Sequence, residues 1–170
     1  MISLPTLPQR TWLERVSLAL AGGLVLLSVI TLAGWWLGLT ELLQFFTRHP
    51  PLKLNAALSF FTLGAVLWAT EQGKRATLYL AAGPALLGGL TLAEYILGLN
   101  FGIDEFLVHD FLVLETEHPG RMSAMIACCF VLSSLSILWR LSRHAARARL
   151  FAEATVGSIV ASAGFSTLLG

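Results

Sequence analysis

Long apolar segments constrain this chain more than any other feature of its sequence. Residues 16–38 contain no charged side chain, and similar apolar stretches cover residues 54–70, 76–98, 122–139 and 154–170. A helix needs roughly 20 apolar residues to cross the hydrocarbon core of a bilayer. Charged residues make up 12% of the 170 residues, about half of their share in a soluble domain. The pattern predicts an all-α integral membrane protein with four complete spans and a fifth that runs into the C-terminus.

The distribution of lysine and arginine predicts how these spans are oriented, because basic residues concentrate in cytoplasmic loops. Eight of the eleven basic residues fall within residues 1–15, 71–75 and 140–149. The other three, together with six of the ten acidic residues, fall in two linkers, residues 39–53 and 99–121. We therefore expect a multi-pass protein of a bacterial inner membrane. Its N-terminal segment would be cytoplasmic and both linkers periplasmic.

The sequence contains an internal repeat. Residues 35–39 (WWLGL) recur as residues 95–99 (YILGL), and residues 57–60 (ALSF) are echoed by residues 127–130 (ACCF). A His-Pro pair precedes the second helix of each copy. The repeat predicts helical hairpins whose linkers form short amphipathic helices at the membrane surface. Residues 167–170 match the start of a third copy, which predicts a module truncated before a further span and a cytoplasmic output domain.

Several of these motifs resemble a known family. Glu94-Tyr95-x-x-Gly98, the sequence GID at residues 102–104, HPGRMS at residues 118–123 and KLNAALSF at residues 53–60 are similar to a multi-span region of bacterial signalling proteins. In that family the region lies N-terminal to PAS, histidine-kinase or GGDEF diguanylate-cyclase modules, and it usually has asparagine where this chain has Met125. The resemblance, over roughly residues 34–139, implies a sensory input module for a periplasmic or membrane-borne cue.

Glu94 is the most informative single residue, because a carboxylate inside a span marks either a functional site or an internal ion pair. Arg121 and Lys53 begin the two returning helices at a similar depth and are its expected partners. The position of Glu94 is explained equally well by a structural ion pair that fixes helix packing and by a ligand-binding site. The candidate ligand-binding or ion-pair residues are Glu94, Arg121, Lys53, Tyr95, Asp104 and Asn55.

The linker acids suggest a solvated face more readily than a cation site, because they lack the fixed spacing of a calcium loop. They are Asp104, Glu105, Asp110, Glu115 and Glu117.

The linker histidines and aromatic residues support an alternative function. His49 and His118 occupy similar places in the two copies and could ligate a haem b or a metal, with His109 as a third candidate. Ordinary surface histidines explain the same positions. An aromatic belt at the membrane surface, or a pocket for a quinone, would account for Trp35, Trp36, Tyr95, Phe101 and Phe106. The alternative is therefore a haem- or quinone-binding redox protein; parallel repeats and Glu94 also suit a small transporter.

Other functions find no support in the sequence. No nucleophile–base pair, zinc-ligand spacing or phosphate-binding loop is present, so we expect no catalytic role for this segment. A net charge of +1 provides no basic surface for nucleic acid. Gly-x-x-x-Gly spacing at Gly34 and Gly38, and again at Gly98 and Gly102, predicts close helix packing. The expected partners are the lipid bilayer, a second copy of the chain, and a small hydrophobic or periplasmic ligand.

Overall fold

The computed structural model describes residues 12–43, 51–69, 74–112 and 118–141. These residues form five helices and no strand, which confirms the all-helical prediction. The helices are α1 (Trp12–Leu37), α2 (Thr40–Leu43), α3 (Leu54–Ala69), α4 (Lys74–Leu97) and α5 (Ala124–Leu141). The predicted span at residues 154–170 lies outside the described residues.

Two of the helices are long and apolar enough to cross a membrane, judged by length and composition. They contribute the segments Leu18–Leu37 and Ala76–Leu97. The apolar stretches Leu54–Val66 in α3 and Ala124–Trp139 in α5 are shorter. The start of α5 is fixed locally, because the Ser123 hydroxyl accepts a hydrogen bond from the Ile126 N–H at 3.3 Å and so caps the helix.

The helices pack as two antiparallel hairpins, α1 with α3 and α4 with α5, which meet mainly through α3 and α4. Glycine permits close contact within each hairpin. A Cβ atom added to Gly64 would lie 2.7 Å from a methyl group of Val25, and one added to Gly88 would lie 2.7 Å from the Ala127 carbonyl oxygen. These glycines let the helix backbones approach more closely than any side chain would allow.

Glycine also ends the two long helices. Gly38 follows α1 with a φ of 66°, and Gly98 follows α4 with a φ of 64°. A residue with positive φ stops a helix, and glycine adopts this conformation without steric cost. The interpretation of Gly38, Gly98 and Gly102 as helix-packing residues is therefore wrong, since all three have positive φ and terminate or turn the chain.

The end of each long helix is tied to the start of the next. The Trp35 indole donates a hydrogen bond to the Leu52 carbonyl at 2.9 Å, and the Tyr95 hydroxyl donates one to the Met122 carbonyl at 3.2 Å. As a result, α1 and α4 finish where α3 and α5 begin. We call this the linker end of the bundle.

The predicted surface helices of the two linkers have different outcomes: α2 forms at the start of the first linker, whose residues 44–50 lie outside the described residues, and the second linker has no helix where it is described. In the first linker, α2 is a single turn, and its Leu43 packs so closely on Gly34 that an added Cβ would lie 2.9 Å from the leucine Cδ2. In the second linker, no helix occurs in residues 99–112 or 118–121, so the helix expected there is wrong for this described part. Side-chain carboxylates bind several of its backbone N–H groups instead.

Candidate functional site

Three charged side chains are buried together at the linker end. Glu94 comes from the last turn of α4, Asp104 from the second linker, and Arg121 from the residues just before α5. The Arg121 Nε lies 2.7 Å from Asp104 Oδ2 and 3.3 Å from Glu94 Oε2. The side chains of Glu94, Asp104 and Arg121 are 0%, 6% and 3% exposed. The site thus collects charge from three separate segments and excludes water from it.

Glu94 is held by the reversal of the chain after α4. Because the helix stops at Gly98, the following residues turn back, and the Phe101 N–H donates a hydrogen bond to Glu94 Oε1 at 2.7 Å. Glu94 Oε2 is buried and accepts no hydrogen bond among the described residues. The reason is that Arg121 Nε carries a single hydrogen, which is directed at Asp104. With all three groups ionised, the cluster carries a net charge of −1.

Arg121 has further contacts that keep it in place and charged. Its Nη2 lies 3.5 Å from the Leu99 carbonyl oxygen, and its guanidinium carbon lies 5.4 Å from the centre of the Tyr95 ring, within the range of a cation–π interaction. Burial alone would lower the pKa of Arg121. The hydrogen bond to Asp104 and the negative charges of Asp104 and Glu94 outweigh burial and raise that pKa above its usual value.

Asn55 joins the first hairpin to this cluster. Its side-chain amide donates to Asp104 Oδ1 at 3.4 Å, and its amide oxygen accepts the Ala56 N–H at 2.9 Å. The second bond satisfies one of the backbone donors left free at the start of α3. Asp104 is therefore bonded to residues at the starts of both returning helices.

A second buried ion pair lies on the same side of the bundle. Lys53 Nζ is 2.5 Å from Asp110 Oδ2, and these side chains are 9% and 2% exposed. Asp110 also accepts the N–H groups of Gly120 and Leu112 at 2.8 and 3.1 Å. Burial would raise the pKa of Asp110, but the Lys53 ammonium and the two N–H groups hold that pKa below its usual range. Lys53 was expected beside Glu94; it pairs with Asp110 instead.

The second linker is thus fastened to the bundle at two points, through Asp104 to Arg121 and through Asp110 to Lys53. We call residues 101–112 the strap. The interpretation of its acids as a solvated face is wrong for Asp104 and Asp110, which are buried because each meets a cation and a second donor. Only Glu105 of this segment keeps a partly exposed carboxylate. Glu115 and Glu117 lie outside the described residues.

The candidate histidines have different surroundings. The His109 ring is 91% exposed and lies 3.5 Å from Glu105 Oε2. His118 is exposed and packs edge to face on Tyr95, with ring centres 6.0 Å apart. His49 lies outside the described residues. Among the described residues, no group of three His, Cys, Asp or Glu side chains converges in a way that could hold a metal ion.

The aromatic candidates divide into two groups. Trp35 is buried, and its ring meets Phe111 edge to face with centres 5.2 Å apart. The others expose much of their surface: Trp36, Tyr95, Phe101 and Phe106. A recess at this end is small, about 160 Å³. It is lined by Asn100, Gly102, Asp104, Glu105, His118, Pro119 and Arg121.

Comparisons with known proteins add no function to this geometry. No family model, no curated protein and no solved structure matches the chain. The described residues themselves offer a dry cluster, in which two carboxylates share one arginine, that holds a linker onto two helical hairpins. Chemically, such a cluster can rearrange when a proton or an ion changes its net charge, or when a displaced linker changes its contacts.

Proposed function

We propose that this chain is the membrane-embedded sensory input module of a bacterial signal-transduction protein. The cue would act at the linker end, which we assign to the periplasmic side, and the response would leave through the opposite ends of the helices. One observation carries the proposal: a buried cluster in which one arginine meets two carboxylates, together with the Lys53–Asp110 pair, fastens the strap to both hairpins. An arrangement of this kind has a well-defined closed state that a modest perturbation can open.

The distribution of polar and apolar side chains supports a membrane location. In the most apolar stretches of α1 and α4, 28% of the residues are buried, whereas a core helix of a soluble protein would be mostly buried. Exposed apolar surface of this extent is unusual for a soluble monomer, and small buried polar residues between helices are typical of membrane bundles. Buried polar residues are Ser28, Ser59, Thr77, Thr91 and Ser134, and exposed leucines include Leu20, Leu26 and Leu86.

Burial also supports the proposed hairpin repeat. Residues 60 apart in α1 and α4, and 70 apart in α3 and α5, are buried in pairs: Ala21 with Ala81, Thr31 with Thr91, and Ala57 with Ala127. The copies differ where it matters for the proposal. Gly34 of the first copy corresponds to Glu94 of the second and is covered by Leu43. The linker is therefore held to the first hairpin by an apolar contact at this position and to the second by charged side chains.

The proposed mechanism is a shift between two arrangements of the bundle. A cue can shift such an equilibrium only if it interacts differently with the two states. In the closed state Asp104 and Asp110 hold the strap to both hairpins. Release of Asp104 from Arg121 would free the hairpins to move against each other. That displacement would pass to a cytoplasmic output domain, a histidine kinase or a diguanylate cyclase, in a homodimer.

Distance measurements between spin labels test this mechanism. Labels at Leu20 in α1 and Tyr79 in α4 replace exposed side chains far from the linker end, in a background with Cys128 and Cys129 changed to alanine. We expect Asp104→Asn to change the distribution of label distances in lipid nanodiscs. The matched control is Glu105→Gln, which neutralises the neighbouring and partly exposed carboxylate and should leave the distribution unchanged.

The result that contradicts the proposal is equally clear. If Asp104→Asn protein is folded and its label distances match those of the unmodified chain, the cluster only fixes local packing. The output part of the proposal is tested separately on the intact gene product. Its kinase or cyclase activity should change with Asp104→Asn and not with Glu105→Gln.

A further inference from the structure

The strap buries two of its three carboxylates and leaves two neighbouring apolar side chains, Phe106 and Leu107, exposed. Asp104 and Asp110 point into ion pairs with Arg121 and Lys53, whereas Phe106 between them is 82% exposed. Leu107 is also exposed, together with Phe101 and Phe111. A loop surrounded by water would favour the opposite arrangement, because exposed apolar surface is unfavourable and buried carboxylates lose hydration. Nothing in the described part of the chain covers the Phe106 ring.

The exposed apolar surface of the strap is continuous along the chain with that of α4. Ile96 and Leu97 at the end of the helix are exposed, and so are Leu99 and Phe101 after it. Exposed apolar residues therefore continue in sequence from a helix long enough to span a membrane to the first residue of the strap. The medium that covers the end of α4 is thus the natural candidate for covering Phe106, five residues after Phe101.

The charge of the strap is compatible with a lipid surface. Its two buried carboxylates are each paired with a cation. The remaining one, Glu105, accepts the Asp110 N–H at 3.0 Å and faces His109. Glu105 is therefore the one carboxylate of residues 101–112 without a Lys or Arg partner, and it is partly exposed. A carboxylate in this position can stay in the hydrated headgroup region while the neighbouring Phe106 and Leu107 insert below it.

We infer that the strap is a lipid-contact element that inserts Phe106 and Leu107 into the interfacial region of the outer leaflet. The inference rests on the proposed membrane location and adds the partner of the same site. One short segment is fastened to the bundle through Asp104 and Asp110 and to the bilayer through Phe106 and Leu107. A change in the packing or thickness of the leaflet would then pull directly on the buried cluster.

Spin-label accessibility in phosphatidylcholine nanodiscs tests the inference. Single cysteines replace Phe106, His109 or Leu86 in a chain whose Cys128 and Cys129 are alanine. All three positions are exposed, so the fold should tolerate a label. Apolar oxygen and a water-soluble nickel chelate then compete for collision with the label. We expect the oxygen-to-nickel ratio at Phe106 to be several-fold higher than at His109, three residues further along the strap, and to stay below the ratio at Leu86 in the middle of α4, because an interfacial side chain lies less deep than the centre of a span.

Three other outcomes would overturn the inference, each for a different reason. If the Phe106 label matches His109 while Leu86 is in lipid, the strap lies in water, and the membrane architecture stands without it. If Leu86 also collides mainly with nickel, the membrane location itself is wrong. If neither oxygen nor nickel reaches Phe106, a protein surface such as a second copy covers it, and the partner is not lipid.

Discussion

Replacing Arg121 with methionine removes the guanidinium and keeps a flexible apolar side chain. Asp104 would lose its 2.7 Å charged hydrogen bond, and Glu94 would lose the cation 3.3 Å from its Oε2. Both carboxylates would stay buried, since Glu94 is held by the Phe101 N–H and Asp104 by Asn55. The substitution therefore leaves two like charges close together in a dry site.

The size of the effect follows from that geometry. Removing one partner of a buried ion pair costs about 3–5 kcal/mol. Here one cation serves two carboxylates, which favours the upper part of the range, while uptake of a proton by either carboxylate would relieve part of the loss. We expect the free energy of unfolding to fall by about 4 kcal/mol, which is roughly a 1,000-fold change in the unfolding equilibrium constant.

Glu94→Gln provides the matched comparison. Glutamine retains an oxygen for the Phe101 N–H and removes one of the two carboxylates that share Arg121. Its effect should stay within about 1 kcal/mol, since a neutral replacement leaves no buried charge unpaired. Combined with Arg121→Met, it should recover part of the lost stability. Equilibrium unfolding by SDS in mixed micelles, followed by tryptophan fluorescence, measures all three variants. A loss below about 1 kcal/mol for Arg121→Met, or equal losses for the two single variants, would refute the reasoning.

Two further predictions concern the second ion pair and the α4–α5 contact. The pKa of Asp110 is held below its usual 3.8, so the pair stabilises the fold fully above that pH and loses its contribution as the pH falls below it. The Asp110→Asn variant should therefore have a lower free energy of unfolding than the unmodified chain at neutral pH, and this difference should shrink below pH 3.8. A difference that stays constant with pH in SDS unfolding titrations would contradict this prediction. Gly88→Ala should lower the free energy of unfolding by about 1–3 kcal/mol because the added Cβ would meet the Ala127 carbonyl. The control is Gly89→Ala, which has open space around it and should raise that free energy by up to about 1 kcal/mol through its higher helix propensity. Similar unfolding curves for the two variants would contradict the packing of Gly88 on α5.

The helices and the central ion pair were predictable because their signals are local. Long apolar runs marked α1 and α4, and the spans predicted from them, residues 16–38 and 76–98, end within one residue of the two helices. Glu94 stood out because it is a carboxylate within such a run. Arg121 was an obvious partner because it begins the next helix along the chain.

The partner of Lys53 and the burial of the strap could not be predicted in the same way. Lys53 and Asp110 are 57 residues apart, and their contact depends on how closely the hairpins pack. The packing within each hairpin is equally hard to predict, because Gly64 and Gly88, which let helices approach, look no different in sequence from Gly98, which stops a helix. The solvated-face interpretation failed because the pattern of acids says nothing about the cations that meet them.

The ion pair between Lys53 and Asp110 has a consequence for how the molecule folds. It joins two residues on either side of α3 and α4, so it forms only after these two helices have packed against each other. Contacts between residues far apart in sequence are slow to form, because chain entropy is lost before they contribute. Until that contact forms, the Lys53 ammonium lacks the carboxylate that pairs with it in the folded bundle. An unfinished bundle therefore exposes a charged group that the finished one buries.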